Sequence, residues 1–172
     1  MNQHFKNSSF PELKQDPIWK TIYEALEAAH SFLKMDVTFL GQFYGDKEFY
    51  RSIIGDGKSF GLEENLSLPK AETYCQAMIE GRIGSVIPNT ANDPVLMNLK
   101  ITQEAQIGKF IGAPIHLPYG KIYGALCGLG HKTDLSLGLR EERFLKLLAS
   151  VIQNGLSTQK EDSFIMNPLL VS

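Results

Sequence analysis

The sequence predicts a single α+β domain built on an antiparallel sheet. Two pairs of alternating apolar and polar segments are each joined by a short turn containing Gly, Asp or Pro, the pattern of a β-hairpin. Apolar residues recur at helical spacing before the first pair and after the second. A chain of 172 residues has room for one core of this kind and not for two. We therefore expect a tail at 1–15, one domain at 16–156 and a tail at 157–172.

The first elements are predicted to be a helix and a hairpin. A helix over 17–33 follows from its start at Asp16-Pro17 and from an apolar stripe at helical spacing, Ile18, Ile22, Leu26 and Ala29. Apolar residues then alternate over 37–44, and a returning strand over 48–55 follows a turn that contains Gly45 and Asp46. The two strands form the first hairpin.

The middle of the chain is predicted to be less regular. A second helix is expected over 70–80, with Gly81 as its stop. A short apolar strand at 85–87 is ended by a proline, and a short helix is expected over 95–99. The stretch 100–108 is the one long irregular or weakly helical excursion, and excursions of this length often cover pockets.

The last elements are predicted to be a second hairpin and a long helix. Strands are expected over 109–116 and over 121–129, the second of which is rich in Gly and Ala. A helix over 139–154, ending at Gly155, is predicted from an apolar stripe that we take as its packing face, Phe144, Leu147, Leu148 and Val151.

Composition excludes several classes of function. Hydrophobic residues make up 43% and charged residues 21%, which is typical of an ordinary globular protein. The net charge is −2, with 17 basic and 19 acidic residues interspersed, so no basic stripe is available for nucleic acid. No apolar stretch approaches the roughly 20 residues that span a bilayer, and the first residues lack the apolar middle of a signal peptide. We expect a cytoplasmic protein with no membrane and no nucleic-acid partner.

Several short sequence segments in the second half resemble a known family. These segments are Thr73-Tyr74-Cys75, Ile87-Pro88-Asn89-Thr90, Asp93-Pro94, the stretch 107–115 and Ile122-Tyr123-Gly124-Ala125-Leu126-Cys127. Together with the order of elements, they resemble the GAF domain, in the subgroup often fused to bacterial cyclic-di-nucleotide signalling and other output domains. The resemblance covers residues 17 to 155.

The resemblance implies an architecture and a role. It implies a GAF-like central antiparallel sheet of five to six strands, with packing helices on one face and a ligand-covering segment on the other. It also implies a bacterial sensory or regulatory domain that is not an enzyme. The sequence departs from the subgroup at Asn89, where an aspartate is usual, and no output domain follows the last helix.

The two cysteines, Cys75 and Cys127, are the chemically most suggestive residues. They are 52 positions apart and lie in no zinc-binding pattern. Burial as small apolar side chains is one interpretation, because free cysteine is among the most buried residue types. The other is a thiol pair that oxidises or holds a cofactor, since two thiols with Cα atoms within about 7 Å can bridge.

Known uses of the GAF fold supply further hypotheses. Covalent bilin attachment calls for a cysteine next to a histidine, and neither cysteine has one. Haem binding would depend on His116 or His131, each a lone histidine beside a turn. The enzyme hypothesis is free methionine sulfoxide reductase, which works through clustered cysteines that form and resolve a sulfenic acid. No cofactor is identified by the sequence.

A set of polar residues around the covering segment is the candidate ligand site. Asn, Thr and Asp also commonly cap helices and close turns, and Asp93-Pro94 is a good helix cap. Both interpretations therefore stay open for the six residues concerned, Asn89, Thr90, Asp93, Thr102, Lys109 and Tyr123.

We predict a sensory or regulatory GAF domain that binds an unidentified small molecule or reports redox state. In such domains the first and last helices commonly pair across a two-fold axis, so helices 17–33 and 139–154 are expected to form a homodimer. An output protein acting in trans is expected as a further partner. The alternative is a protein-interaction module without a ligand, which would use the tails as partner segments.

Overall fold

The computed structural model describes residues 17–158. The two predicted tails lie outside these residues, apart from Ser157 and Thr158. The helices are α1 (Pro17–Leu33), α2 (Tyr74–Ile79), α3 (Pro94–Met97), α4 (Lys100–Glu104) and α5 (Leu139–Ser157). The strands are β1 (Val37–Tyr44), β2 (Lys47–Gly55), β3 (Ser67–Pro69), β4 (Val86–Ile87), β5 (Lys109–His116) and β6 (Ile122–Gly130).

The six strands form one antiparallel sheet in the order β3-β2-β1-β6-β5-β4. The two predicted hairpins, β1–β2 and β5–β6, are confirmed, and β1 and β6 pair to join them at the centre of the sheet. The predicted α+β fold with a sheet of five to six strands is therefore confirmed.

One face of the sheet is covered by α1 and α5. The predicted stripe of α1 is buried there, together with residues of the central strands. This core excludes water from one side of β1, β5 and β6, which fixes their register, because a slip of one residue would turn the apolar side chains outward. None of the described helices is long and apolar enough to cross a membrane.

The packing face predicted for the last helix is displaced around its axis. The buried stripe of α5 is Leu145, Ala149, Ile152 and Leu156, whereas Leu147 and Val151 are 63% and 45% exposed. The segment carries enough apolar residues to form two stripes at helical spacing, and only contact with α1 and β5 decides between them.

The last helix also continues past its predicted stop. Gly155 lies inside α5, where a Cβ would overlap Ile18 Cδ1 of α1. A glycine at this position lets the two helices approach closely, so its role is packing and not termination.

The opposite face of the sheet is covered by α2, α3, α4 and the connections between them. This second core holds Val37, Phe39, Tyr50, Tyr74, Cys75, Leu96, Ile107, Phe110 and Cys127 among others. We call the described stretch 88–108 the covering segment. Its predicted position opposite the packing helices is confirmed.

Two further elements differ from the sequence expectation. The helix predicted over 70–80 is a 3-10 turn, Lys70–Glu72, followed by α2. The break falls at Thr73, which is extended and whose hydroxyl accepts a hydrogen bond from the Gln76 backbone N–H at 3.3 Å, because threonine favours the cap over the helix interior. Strand β3 was not predicted, since it has three residues and ends in a proline that only an edge strand tolerates.

Candidate functional site

The two cysteine thiols meet between α2 and the sheet. Cys75 Sγ and Cys127 Sγ are 3.0 Å apart, and the residues are 1% and 0% exposed. Both are free thiols. A disulfide has an S–S length of about 2.05 Å, so a shift of about 1 Å would bridge them.

The two cysteines are held by elements of different kinds. Cys75 is the second residue of α2 and not a mid-helix residue, because the helix begins later than the sequence predicts. Cys127 lies in β6 and is paired with Phe39 of β1 and Gly112 of β5, so both flanking strands fix its position. A covalent link between the two sulfurs would therefore join the covering side to the centre of the sheet.

A buried carboxyl lies beside the thiols. Glu48 of β2 is 0% exposed, and among the described residues neither of its carboxyl oxygens has a hydrogen bond of standard geometry. The Cys75 thiol and the Thr73 hydroxyl are nevertheless close enough to lower its pKa. Burying a carboxyl without satisfying its oxygens is costly, so it calls for a functional or structural explanation.

Gly41 provides the space for this carboxyl. A Cβ at position 41 would overlap Glu48 Oε1, so β1 accommodates the buried glutamate because it carries no side chain at that position. Tyr50 is 3% exposed and lies near the same three groups. We call Glu48, Tyr50, Cys75 and Cys127 the buried polar cluster.

Burial governs the titration of the cluster. Removal from water raises the pKa of Glu48 above its ordinary value of 4.5, and the nearby Cys75 thiol and Thr73 hydroxyl lower it in part. Burial also raises the pKa of Cys75 well above 9.0, and the nearby Cys127 and Glu48 raise it further. Burial also raises the pKa of Cys127, while a hydrogen bond from Cys75 lowers it in part. The pKa of Tyr50 is raised well above 10.0, mainly by burial and then by the nearby Glu48.

This arrangement can perform two-electron thiol chemistry if a proton can leave the pair. Thiols that are buried in apolar surroundings and neutral are inert, because the thiolate is the nucleophile. A carboxyl next to one of the thiols is a nearby group that can accept its proton without contact with bulk water. The cluster thus brings two thiols and a carboxyl group together in one buried place.

The sequence analysis missed Glu48 and Tyr50. Phe39 and Phe43 are four positions apart in the strand predicted over 37–44, so they share a face, and opposed residues of an antiparallel pair also lie on the same face. Glu48 is the partner of Phe43 in the hairpin, so its position on an apolar face could have been inferred from the register.

Three of the predicted ligand residues serve local roles in the covering segment. Asn89 Oδ1 accepts a hydrogen bond from the Ala91 N–H at 3.0 Å, and the Thr90 hydroxyl donates to the Ile107 carbonyl. Asp93 Oδ1 caps α3 by accepting from its backbone N–H groups at 2.9 and 3.1 Å. These bonds hold the covering segment in shape, and ligand binding by the three residues stays a prediction.

Thr102 anchors the covering segment to α2. Its hydroxyl donates to the Leu96 carbonyl, so the hydrogen bond with Tyr74 is donated by the phenol. Burial raises the pKa of Tyr74 to about 12, which keeps this donor protonated. The core between the covering segment and the sheet is packed with apolar side chains, including Leu96, Ile107 and Phe110.

The remaining two predicted residues face the other side of the sheet. Lys109 Nζ donates to the Lys34 carbonyl at 3.3 Å and lies 3.4 Å from Asp134 Oδ2. Tyr123 packs in the core under α1 and α5. Burial there raises its pKa, and the nearby Arg51 lowers it in part. These two residues therefore do not converge with Asn89, Thr90, Asp93 and Thr102.

A bulge explains the unexpected side of Tyr123. The register shifts between Ile115 and His116, which pair with Gly124 and Ile122, so Tyr123 is an extra residue in β6. Strict alternation from Cys127 places Tyr123 on the covering side, and the extra residue reverses that assignment.

Known structures with the same architecture are numerous and distant in sequence. A far-red cyanobacteriochrome photoreceptor matches with a TM-score of 0.65 and 13% identity, over 83% of this chain and 88% of that chain. The GAF domain of an Acinetobacter phosphoenolpyruvate-protein phosphotransferase matches with a TM-score of 0.58 and 14% identity, over 87% and 98%. The chain has the GAF fold.

An enzyme is also among the structures with this fold. A type II free methionine-R-sulfoxide reductase from Thermoplasma acidophilum matches with a TM-score of 0.55 and 11% identity, over 81% of this chain and 96% of that chain. No protein-family model and no curated protein matches the sequence. Identities of this size show a shared fold and leave the activity and the subgroup to be tested.

The two histidines considered for haem differ in exposure. His116 is exposed at the end of β5, and His131 is half-buried. The His131 ring stacks on Phe60 at a centroid distance of 3.9 Å, and its Nε2 is 2.7 Å from Ser59 Oγ. Within residues 17–158, no group of three or more His, Cys, Asp or Glu side chains is placed to hold a metal ion.

Proposed function

We propose that this chain is a sensory or regulatory GAF domain that reports redox state through Cys75 and Cys127. The observation that carries the proposal is the 3.0 Å separation of the two buried sulfurs. The readout is reversible formation of a disulfide between them, and the domain itself turns over no substrate.

Oxidation would change how the covering side is attached to the sheet. The thiols are 52 positions apart in sequence, and closing a loop of that length stabilises the folded state by about 4 kcal/mol in the chain-entropy model. Because Cys75 lies on α2 and Cys127 in β6, the bond would restrict the motion of α2. A partner protein that contacts the domain surface could respond to this change in the motion of α2.

Packing favours this input over a small molecule bound between the sheet and the covering segment. The described interior on that side is occupied by apolar side chains such as Leu96 and Phe110, each 0% exposed. Four predicted ligand residues there are engaged in local hydrogen bonds. A native mass spectrum that retains a small molecule would instead favour the ligand-binding function.

The experiment is a thiol count combined with an intact mass measurement on the full chain. Mild oxidation is expected to remove two hydrogen atoms and both titratable thiols, and dithiothreitol is expected to restore them. A peptide map should join Cys75 to Cys127, and Cys75→Ser should abolish the intramolecular product. Two thiols that persist after oxidation of the folded protein would refute the proposal.

We propose that the output passes through a homodimer formed by α1 and α5. Tyr23 of α1 and Leu147 and Val151 of α5 are exposed apolar side chains, at 45%, 63% and 45%. Exposed apolar residues on the outer surface of paired helices are typical of an interaction face. An output protein in trans would be a further partner of the same face.

Free methionine sulfoxide reduction is the enzymatic alternative. Two adjacent thiols and the similarity to the Thermoplasma acidophilum reductase favour it. A turnover assay with free methionine sulfoxide and a thiol reductant separates the two functions. Sustained turnover that is lost in Cys127→Ser would support the enzyme, and its absence would support the sensor.

A further inference from the structure

We propose that Ser59 is a nucleophilic serine, activated by His131, that takes up an acyl group from a small activated ester. The two residues are 72 positions apart in sequence, and Ser59 Oγ and His131 Nε2 are 2.7 Å apart. This distance is within the reach that a general base needs. Neither residue belongs to the buried polar cluster, so the inference is independent of the redox function.

The fold brings the two residues together at one end of the sheet. Ser59 lies in a 3-10 turn, Lys58–Phe60, in the connection that follows β2, and His131 is the first residue after β6. Asp36, just before β1, accepts a hydrogen bond from the His131 backbone N–H at 2.8 Å. The Asp36 carbonyl also accepts one from the Asp56 N–H at 2.8 Å. Asp36 therefore fixes both segments relative to β1.

The hydrogen on the imidazole is assigned by its second hydrogen bond. His131 Nδ1 lies 2.9 Å from the Gln106 carbonyl oxygen, and a carbonyl oxygen can only accept, so Nδ1 carries the hydrogen. In the neutral ring Nε2 then has a lone pair, and the Ser59 hydroxyl donates to it. This is the tautomer that a base for a serine hydroxyl requires.

A second acceptor competes for the Ser59 hydrogen. The Asp56 carbonyl oxygen is 3.4 Å from Ser59 Oγ, against 2.7 Å for His131 Nε2. A hydroxyl donates one hydrogen, and the shorter of the two bonds is the stronger. The Ser59 hydroxyl therefore donates to the group that can remove its proton.

The imidazole is held in one orientation from two sides. The Phe60 ring stacks on it at a centroid distance of 3.9 Å and an interplanar angle of 3°. Gln106 presents its carbonyl from a left-handed backbone conformation, with φ of 49°, which is unfavourable for a residue with a side chain. Backbone strain of this kind is concentrated at functional sites. A ring held in this way needs no reorientation before it accepts a proton.

The surroundings favour the charge that develops on the ring. Asp36 contacts the His131 backbone N–H, and Asp56 Oδ1 accepts from the Ser59 N–H at 3.1 Å. Carboxylates close to the pair favour the imidazolium that forms when the ring takes the proton. Ser59 is exposed and His131 is half-buried, so an acyl donor reaches the hydroxyl from solvent.

The transfer balances with an activated ester as the donor. The Ser59 oxygen attacks the ester carbonyl carbon while His131 Nε2 takes the hydroxyl proton. The bond from that carbon to the leaving oxygen then breaks, and the leaving group takes the proton from His131 and departs as an alcohol or phenol. No electron is gained or lost. The ester on Ser59 has a poorer leaving group than the donor and hydrolyses more slowly, so the product is a modified domain and not turnover.

The test is acetylation of the full chain by p-nitrophenyl acetate, followed by peptide mapping. Release of p-nitrophenol should show a first phase equivalent to one acetyl group per chain, and the map should place that group on Ser59. Ser59→Ala should lose this phase. In His131→Asn the rate of Ser59 acetylation should fall by about 100-fold, the scale of a lost general base. The asparagine amide can still donate to the Gln106 carbonyl but has no basic nitrogen.

Ser136→Ala is the matched control. Ser136 is also exposed, but its hydroxyl donates to Asp134 Oδ1 at 2.6 Å and not to an imidazole. Its substitution should leave the first phase unchanged. In the wild type, Ser136 should be acetylated about 100-fold more slowly than Ser59, because it has no general base.

Equal rates of Ser59 acetylation in wild type and His131→Asn would overturn the proposal. If His131→Asn does not fold, the comparison within the wild type decides, since acetylation of Ser59 no faster than that of Ser136 would also overturn it. The first phase should persist in Cys75→Ser, and its loss there would show that the acceptor is a thiol and not Ser59. None of these outcomes depends on whether Cys75 and Cys127 form a disulfide.

Discussion

Gly41 and Glu48 occupy one space in the hairpin: the glutamate carboxyl lies where a side chain at position 41 would be. The pairing of Phe43 with Glu48 fixes the backbone of β2 at this point. The buried polar cluster therefore depends on a glycine in the neighbouring strand as well as on its own residues.

Gly41→Ala is expected to destabilise the protein by about 1–3 kcal/mol, because the new methyl group displaces a packed side chain. Urea unfolding measures this. Gly84→Ala is the control, since a Cβ there has neighbours only at ordinary contact distances of 3.9 and 4.0 Å. Adding Glu48→Ala to Gly41→Ala should restore part of the loss, and strictly additive effects would show that the two sites do not interact.

Glu48 is expected to make stability fall as pH rises. Its pKa is raised in the folded protein above the ordinary value of 4.5, so the folded state holds the proton more tightly than the unfolded state. The stabilisation is complete below about 4.5 and is lost progressively up to the folded-state pKa. Unfolding free energies measured from pH 4 to 8 in wild type and Glu48→Gln should diverge in this direction. Parallel curves would contradict the shift.

The contact between Gly155 and Ile18 is expected to set the spacing of α1 and α5. Alanine in a helix interior is favoured over glycine by about 1 kcal/mol, but a Cβ at 155 overlaps Ile18 Cδ1. Gly155→Ala should therefore stabilise the Ile18→Val variant, which lacks that methyl, and not the wild type. A double-mutant cycle by thermal or urea unfolding measures the coupling, and a coupling energy near zero would show that the helices adjust freely.

Leu147→Glu is expected to separate a dimer into monomers. Leu147 is 63% exposed on α5, and Leu135, at 82%, lies in the connection before that helix. Leu135→Glu has the same change in charge and hydrophobicity and should leave the dimer intact. Sedimentation velocity over a range of concentrations reports both. A wild type that remains monomeric at high concentration would remove the dimer from the proposed function.

The regular elements could be predicted from the sequence because their signals are local. Helix α1 and the two hairpins follow from spacing and turn residues within a few positions of each other. Strand β3 and the buried stripe of α5 could not be predicted in the same way, because each is decided by a neighbour that is distant in sequence.

The candidate site was predictable only in part for the same reason. Cys75 and Cys127 were identified by residue type, while their 3.0 Å approach depends on the packing of α2 against β6. Glu48 was overlooked because a glutamate in a strand usually faces water. Tyr123 was placed on the wrong side because a bulge in β6 reverses the alternation.

The most direct test of the redox account is an equilibrium titration of the full chain in dithiothreitol buffers of increasing oxidised fraction, with the Cys75–Cys127 disulfide quantified by mass. The account predicts one reversible two-electron transition with the disulfide inside a single chain, lost in either cysteine-to-serine variant. Thiols that stay reduced in the most oxidising buffer, or that bridge only between chains, would contradict it.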